Sequence, residues 1–250
     1  VARELLVSDT TSHAASLVAL LVSDEWPNDA GTMVAVADAY RAEGNADEAS
    51  RHYNQASQGN GASATHALRH LGELEAHRSR HAQAIQAFER ALTLDDDGSE
   101  AAIYAGLAHS AMSTGRLEDA AQWCTRGLEL TERERQMTWA RLKRTAGLIA
   151  WYRGDLADAQ GHLEQSWEFM RAVDDLVEGA AVVTALGLVA HRREDLDGAE
   201  THYRDALLMG EKANDPSRIL TALQNLAVVQ HQRGAFAEAL ATYEEAAAMA

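Results

Sequence analysis

Four histidines and two glutamates fall within HALRHLGELEAHRSRH, residues 66–81. Imidazole and carboxylate are the side chains that hold zinc, and two histidines spaced i, i+4 on a helix can share one ion. At about 100° per residue, His66, His70, Glu73 and His77 sit at roughly 0°, 40°, −20° and 20° around a helix axis, so they share one face. His81 follows the end of that helix and faces elsewhere. Ligands strung along one straight helix cannot all reach a single ion, so a closed site needs a contribution from another helix, with His109 as the candidate. No cysteine pair and no HExxH accompanies the histidines. The reading these residues favour is a polar, solvated wall, with no resident metal, no cofactor and no catalytic group. Phosphate-binding loops, GxSxG elbows and calcium loops are likewise missing. Asp95, Asp96 and Asp97 read as a helix-ending loop, and Glu132 to Glu134 as solvated helix surface.

The elements that carry this wall are all helical. Apolar residues recur at helical spacing, no period-2 stretch is present, and proline occurs only at Pro27 and Pro216. The 250-residue chain is 46% hydrophobic and 24% charged, with a net charge of −16. That charge argues against general binding to phosphate backbones, which needs clustered Lys and Arg. No apolar run approaches the roughly 20 residues of a membrane span. Abundant alanine, with Lys143 and Lys212 the only lysines, suggests a GC-rich bacterial genome. Cys124 is the only cysteine, so the natural compartment is a reducing cytoplasm. The chain begins at Val1 and ends at Ala250 inside a helical pattern, and is read as a piece of a longer protein.

The helices repeat. Six segments beginning at Gly44, Ser79, Gly115, Gly154, Glu194 and Gly234 can be superposed. Each has an alanine five residues on (Ala49, Ala84, Ala120, Ala159, Ala199, Ala239). A mostly large residue follows (Tyr53, Phe88, Cys124, Leu163, Tyr203, Tyr243), then a small one (Ala56, Ala91, Gly127, Ser166, Ala206, Ala246). Upstream of each turn lies another small residue: Ala37, Gly72, Ala108, Gly147, Gly187, Ala227. Small residues where two helices cross let the backbones approach, and large ones fill the space beside the crossing. Core packing is therefore the role expected of Cys124.

This pattern resembles the tetratricopeptide repeat (TPR) family, whose unit is a helix–turn–helix. The resemblance covers 30–250, as units near 30–64, 65–100, 101–139, 140–179, 180–219 and 220–250. Residues 1–29 read as a partial or degenerate unit or an N-terminal cap, with Ala15, Ala19 and Val22 where its second helix would fall. Unit spacing grows from 35 to 40 residues, against 34 in the standard repeat, so the later repeats have longer helices or longer loops. The family's usual proline after the second helix is missing. What the resemblance implies is an all-α, right-handed α-solenoid of about six units whose first helices line a concave groove. Such lengthened arrays are similar in style to those of large bacterial signalling and transcriptional regulators, and of peptide-pheromone receptors.

In that frame the groove carries Arg41, Arg69, Arg141, Arg144 and Arg192, with His66, His70, His77, His109, His191 and His231, against Asp38 and Glu73 as its only acids. A neutral-to-basic groove in an acidic protein points to an acidic peptide or carboxylate as partner. Trp151 and Tyr152 are expected near Arg141 and Arg144, an aromatic-plus-arginine composition typical of interface anchors; the alternative is that Trp151 packs on a neighbouring helix. No three consecutive units carry the carboxylate-clamp residues of chaperone-binding relatives. Of the asparagines that pheromone receptors use, only Asn225 is present. The expected function is a non-enzymatic module that binds a peptide or partner domain and forms the regulatory part of a larger bacterial protein, without direct nucleic-acid or membrane contact. A ligand or pheromone sensor and a self-assembling scaffold are the alternatives. Leu226, Leu240 and Tyr243 are expected to face water at the C-terminal end and to offer a surface for self-association.

Overall fold

The computed structural model describes residues 29–94, 98–131 and 136–249. The expected cap with Ala15, Ala19 and Val22, the Asp95–Asp97 loop and Glu132–Glu134 lie outside the described residues. Among those described there are twelve helices and no strand. In chain order they are α1 (Ala30–Ala42), α2 (Ala46–Ala56), α3 (Ala62–His77), α4 (His81–Leu94), α5 (Glu100–Ser113), α6 (Leu117–Thr131), α7 (Met137–Arg153), α8 (Leu156–Ala172), α9 (Leu176–Arg192), α10 (Leu196–Ala213), α11 (Pro216–Gln232) and α12 (Phe236–Ala248). They form two compact units, one reaching Trp123 and one beginning at Cys124.

The turn inside every helix pair is the same. Gly44, Ser79, Gly115, Gly154, Glu194 and Gly234 all have positive φ. The next residue's N–H returns to a carbonyl in the last turn of the first helix, as Asn45 to Tyr40 (2.9 Å), Arg116 to Ala111 (2.8 Å) and Asp195 to Ala190 (3.0 Å). This is the Schellman closure, which satisfies carbonyls that the helix end would leave bare. Glycine takes the left-handed conformation freely; Ser79 and Glu194 adopt it at a cost. Two second helices are then capped by the residue that follows: Asn45 Oδ1 accepts from the Glu48 amide at 3.3 Å and Asp195 Oδ1 from the Gly198 amide at 2.9 Å.

The repeat positions behave as a crossing lattice. Ala49, Ala84, Ala120, Ala159, Ala199 and Ala239 are all buried, as are Tyr53, Phe88, Cys124, Leu163 and Tyr203 beside them. A Cβ on Gly187 would lie 2.5 Å from the Tyr203 ring, and one on Gly147 2.6 Å from Leu163 Cγ. The backbones approach as closely there as the absence of a side chain permits. In the N-terminal unit the Phe88 ring is caught between Gly72 of α3 and Gly106 of α5.

Lengthening of the later repeats resides in the helices. The first helices grow from 13 residues in α1 to 17 in α7, α9 and α11, while the intra-pair turns stay short. One expectation needs correction. Leu226 is only 3% exposed, packed with Tyr203, Ala199 and Val229, because α10 covers it. The last pair exposes Val228 on α11 and, more fully, Phe236, Leu240 and Tyr243 on α12.

Cys124 sits in its core slot with Sγ 3.2 Å from the Leu142 carbonyl, and burial pushes its thiol up to about 12. The thiolate is the reactive form, so the folded chain should not react with a disulfide reagent at pH 8, whereas the chain in urea should react stoichiometrically. Rapid labelling of the folded chain would contradict this packing.

Candidate functional site

In the C-terminal unit α7, α9 and α11 are the first helices of successive pairs, and each supplies one part of a charged cluster. Arg141 and Arg144 lie a turn apart on α7. Glu178 lies in the first turn of α9, whose N-terminus is capped by Asp175 (Oδ1 to the Glu178 amide, 2.9 Å). Arg218 lies in the first turn of α11, where Asp215 caps in the same way at 3.1 Å and Pro216 opens the helix. The Glu178 carboxylate reaches Arg141 Nε at 2.7 Å and stands 3.7 Å from Arg144 Nη2.

Burial opposes ionisation of Glu178, but the charges of Arg144, Arg141 and Arg218 outweigh it and hold the carboxyl below the usual carboxylate range. Arg144 is itself disfavoured as a cation by burial, partly offset by Glu178. Two guanidinium groups thus approach one carboxylate and Arg218 adds its charge, while Glu178 Oε2 has no hydrogen-bond partner among the described residues. The Nε atoms of Arg144 and Arg218 are buried with no hydrogen-bond partner among the described residues. Guanidinium carries five donors and recognises planar carboxylates through two at once. A cluster with spare donors and a nominal surplus of two positive charges is suited to an incoming anion.

Glu178 and Arg218 were missed in the sequence because the repeat frame begins its units at Ala180 and Leu220. The helices begin at Leu176 and Pro216 instead. The added turn is the local form of the 39- and 40-residue spacing, so the signal was present in the unit length. Glu178 adds an acid beside the expected groove arginines Arg141 and Arg144 that the repeat frame does not contain.

Trp151 and Tyr152 follow Arg144 by seven and eight residues along α7, about two helical turns, and their contacts run to α9 and to each other. Trp151 Nε1 donates to the Leu188 carbonyl at 3.1 Å, and the Arg192 guanidinium lies 5.1 Å above its ring. This indole ties α7 to α9, which is the packing alternative. Tyr152, edge-on to Trp151 at 4.9 Å, is the exposed aromatic of the pair. His191 bonds Gln232 at 2.7 Å, His231 packs edge-on to Phe236, and Asn225 spends its amide on the Thr221 carbonyl of its own helix. A separate cleft of about 340 Å³ between α8, α9 and α10 is floored by Trp167, Val183 and Leu186 and rimmed by Arg193 and His202; none of the sequence-selected residues lines it.

The N-terminal unit holds the histidine cluster. His66, Arg69, His70 and Glu73 stand on α3. Asp38 reaches them from α1, and Tyr53 from α2. His66 Nε2 lies 3.3 Å and 3.4 Å from the two Asp38 oxygens, and the Tyr53 hydroxyl donates to Asp38 Oδ1. His70 Nδ1 meets Glu73 Oε2 at 2.7 Å, Arg69 meets Glu73 Oε1 at 2.9 Å, and Arg69 Nη2 lies 2.9 Å from His70 Nε2. Burial opposes the charge on Glu73, but His70, Arg69 and Arg41 outweigh it and hold the carboxyl at about 2. His77 is exposed in the last turn. His109 stands against His81, ring centroids 6.0 Å apart, and not against His66 and His70.

Helix pairs that cross on small residues, each closed by the same left-handed turn, define an α-solenoid. Residues 35–99, 76–137 and 179–250 each match a model of the tetratricopeptide repeat, and the chain belongs to that family. Its fold is similar to a chain of the APC/C hetero-tetramer Cut9–Hcn1 (20% identity, TM-score 0.77, 100% of this chain and 45% of that one). It is similar to a Rap protein complexed with competence and sporulation factor (14%, TM-score 0.78, 99% and 74%). A third is a STAND signal-transduction ATPase with a tetratricopeptide repeat sensor from Pyrococcus horikoshii (16%, TM-score 0.66, 99% and 42%). The chain spans less than half the length of the first and third of these. No curated protein is significantly similar in sequence. No helix among the described residues is long and apolar enough to cross a membrane.

Proposed function

We propose that this chain is a non-enzymatic protein-interaction module that captures an acidic peptide, or an acidic segment of a partner domain, on the first helices of its C-terminal unit. The observation that carries the reading is the cluster of Arg141, Arg144 and Arg218 around the single carboxylate of Glu178, with buried guanidinium donors unused. A partner carboxylate entering there replaces water with charge-assisted hydrogen bonds. Tyr152, on the other end of the same helix, offers an apolar anchor about three helical turns away. The helices are already in place, so little ordering cost opposes binding.

The solved relatives support a binding role: one is complexed with competence and sporulation factor, and another carries its repeats as a sensor in a larger signalling protein. By that analogy the chain serves as the regulatory part of a bacterial signalling or transcription-regulating protein in the cytoplasm. Phe236, Leu240 and Tyr243 on α12 would serve self-association.

The test uses an Arg141→Gln/Arg218→Gln variant, which leaves the Arg144–Glu178 pair intact, and a Tyr152→Ala variant. Partners recovered from host lysate by wild type are then titrated against all three proteins at two salt concentrations. Affinity should fall by tenfold or more for the arginine variant, as expected when about 1.4 kcal/mol or more of interface energy is lost, and the salt dependence should shrink with it. Equal affinity for wild type and the arginine variant would sink the proposal.

A further inference from the structure

The tertiary structure supplies what the histidine face of α3 lacked, a ligand from a second helix. Asp38 lies 28 residues before His66, on α1, and one ligand atom from each of Asp38, His66 and His70 fits within 4.8 Å of the others. Two ligands held about 2.1 Å from a tetrahedral ion stand roughly 3.4 Å apart. The two Asp38 oxygens are 3.3 Å and 3.4 Å from His66 Nε2. The pair therefore already has the bite of such an ion, and only His70 must close in.

The surroundings are those of a supported ligand set. Metal-bound histidines generally pass their other ring N–H to a carboxylate, which fixes the tautomer. His70 Nδ1 is paired with Glu73 at 2.7 Å, and Nε2 accepts from Arg69, so the lone pair lies on Nε2. The His70 ring is stacked on Tyr53, with centroids 5.6 Å apart, and is 6% exposed. Tyr53 in turn holds Asp38. This brace is specific to the site. Tyr203 occupies the same repeat position as Tyr53, but Leu188 stands where Asp38 would be, and the Tyr203 hydroxyl has no partner among the described residues.

We propose that Asp38, His66 and His70 form a binding site for one divalent transition-metal ion of the zinc class. Two imidazoles among three ligands select zinc, cobalt or nickel over magnesium and calcium, which take oxygen. Solvent fills the remaining coordination position, because His66 and Asp38 are about one-third exposed. At His66 the ion takes the place of the hydrogen that Nε2 shares with Asp38, and the neutral ring then carries its hydrogen on Nδ1. The ion also displaces the Arg69 donor from His70 Nε2. Arg69 keeps its bond to Glu73 Oε1, so it acts as the competitor of the metal.

The experiment is calorimetric titration of the full chain, stripped with EDTA and desalted, with zinc chloride, repeated with cobalt chloride and read by visible absorption. One equivalent should bind, and the cobalt form should show the strong visible bands of four-coordinate geometry. His66→Ala and Asp38→Asn, both at partly exposed positions, should keep the helical circular dichroism and lose this binding. Glu73→Gln should weaken it about 10–100-fold. Arg69→Met should strengthen it, an outcome that a merely structural role for the cluster would not produce. His77→Ala should change nothing. The proposal is overturned if no ion binds, if several equivalents bind and His66→Ala leaves them unchanged, or if Arg69→Met and Glu73→Gln are without effect.

Discussion

Replacing Glu178 with glutamine is expected to lower the stability of the C-terminal unit by about 2–4 kcal/mol, slightly below the range for breaking a fully buried ion pair because Arg141 is half exposed. Glu178 and Arg144 are 13% and 15% exposed, and Glu178 is the carboxylate that offsets three neighbouring arginines. Glutamine keeps the shape and one acceptor but removes the charge, leaving the Arg144 guanidinium buried without compensation. Three of the five tryptophans, Trp139, Trp151 and Trp167, lie in this unit, so urea unfolding followed by tryptophan fluorescence is weighted toward it. The Glu178 carboxyl is depressed in the folded chain. Its contribution is therefore complete above the unfolded carboxylate range and is lost as pH falls through the lower, folded value. The difference between wild type and Glu178→Gln should narrow in that acid window. Joint replacement by Glu178→Leu and Arg144→Met should recover most of the loss, since apolar residues of similar volume can replace a buried pair. An unchanged urea midpoint for Glu178→Gln would show that the cluster is solvated and that its charges are already satisfied by water.

Truncation of Phe88 to alanine should cost the N-terminal unit about 3–5 kcal/mol, the usual range for removing a fully buried aromatic. Phe88 is 1% exposed and packs with Leu68, Ile85, Ile103 and Leu107. Its ring has no room to yield. A Cβ on Gly72 would stand 2.7 Å from it on one side, and a Cβ on Gly106 would overlap it on the other. Gly106→Ala should therefore destabilise by about 1–3 kcal/mol through overpacking, even though alanine gains nearly 1 kcal/mol in helix propensity. Pairing Gly106→Ala with Phe88→Leu should restore part of that loss, a coupling that a double-mutant cycle measures. If Gly106→Ala stabilises the chain, the helices are able to separate and the ring is not a wedge.

The two cases differ in how far they could be foreseen. Phe88, Gly72 and their counterparts were legible because a repeat states the same packing rule six times, and each copy checks the others. Gly106 was not, since it lies off the repeated crossing positions and acts only because α5 lies against the far side of the same ring. Tyr243 keeps its place in the pattern and is exposed, as the sequence led one to expect of the last pair, whereas Leu226, expected to be exposed with it, is buried under α10, because sequence spacing says nothing about what covers a helix. Trp151 looked like a binding anchor beside Arg141. Its indole hydrogen bond to the Leu188 carbonyl of α9, however, makes it a tie between neighbours.

The sequence by itself determined the all-helical class, the six helix pairs, the left-handed turns that close them and the small-residue crossings, because these depend on spacings within one or two turns of helix and on steric size. Tertiary structure alone decided which charges meet. Glu178 and Arg218 come to Arg141 and Arg144 from the added turns of later helices, and Asp38 comes to His66 from a different repeat. Electrostatic and ligand geometry depends on distances of a few ångströms between residues tens of positions apart, and only the stacking of one helix pair on the next sets those distances.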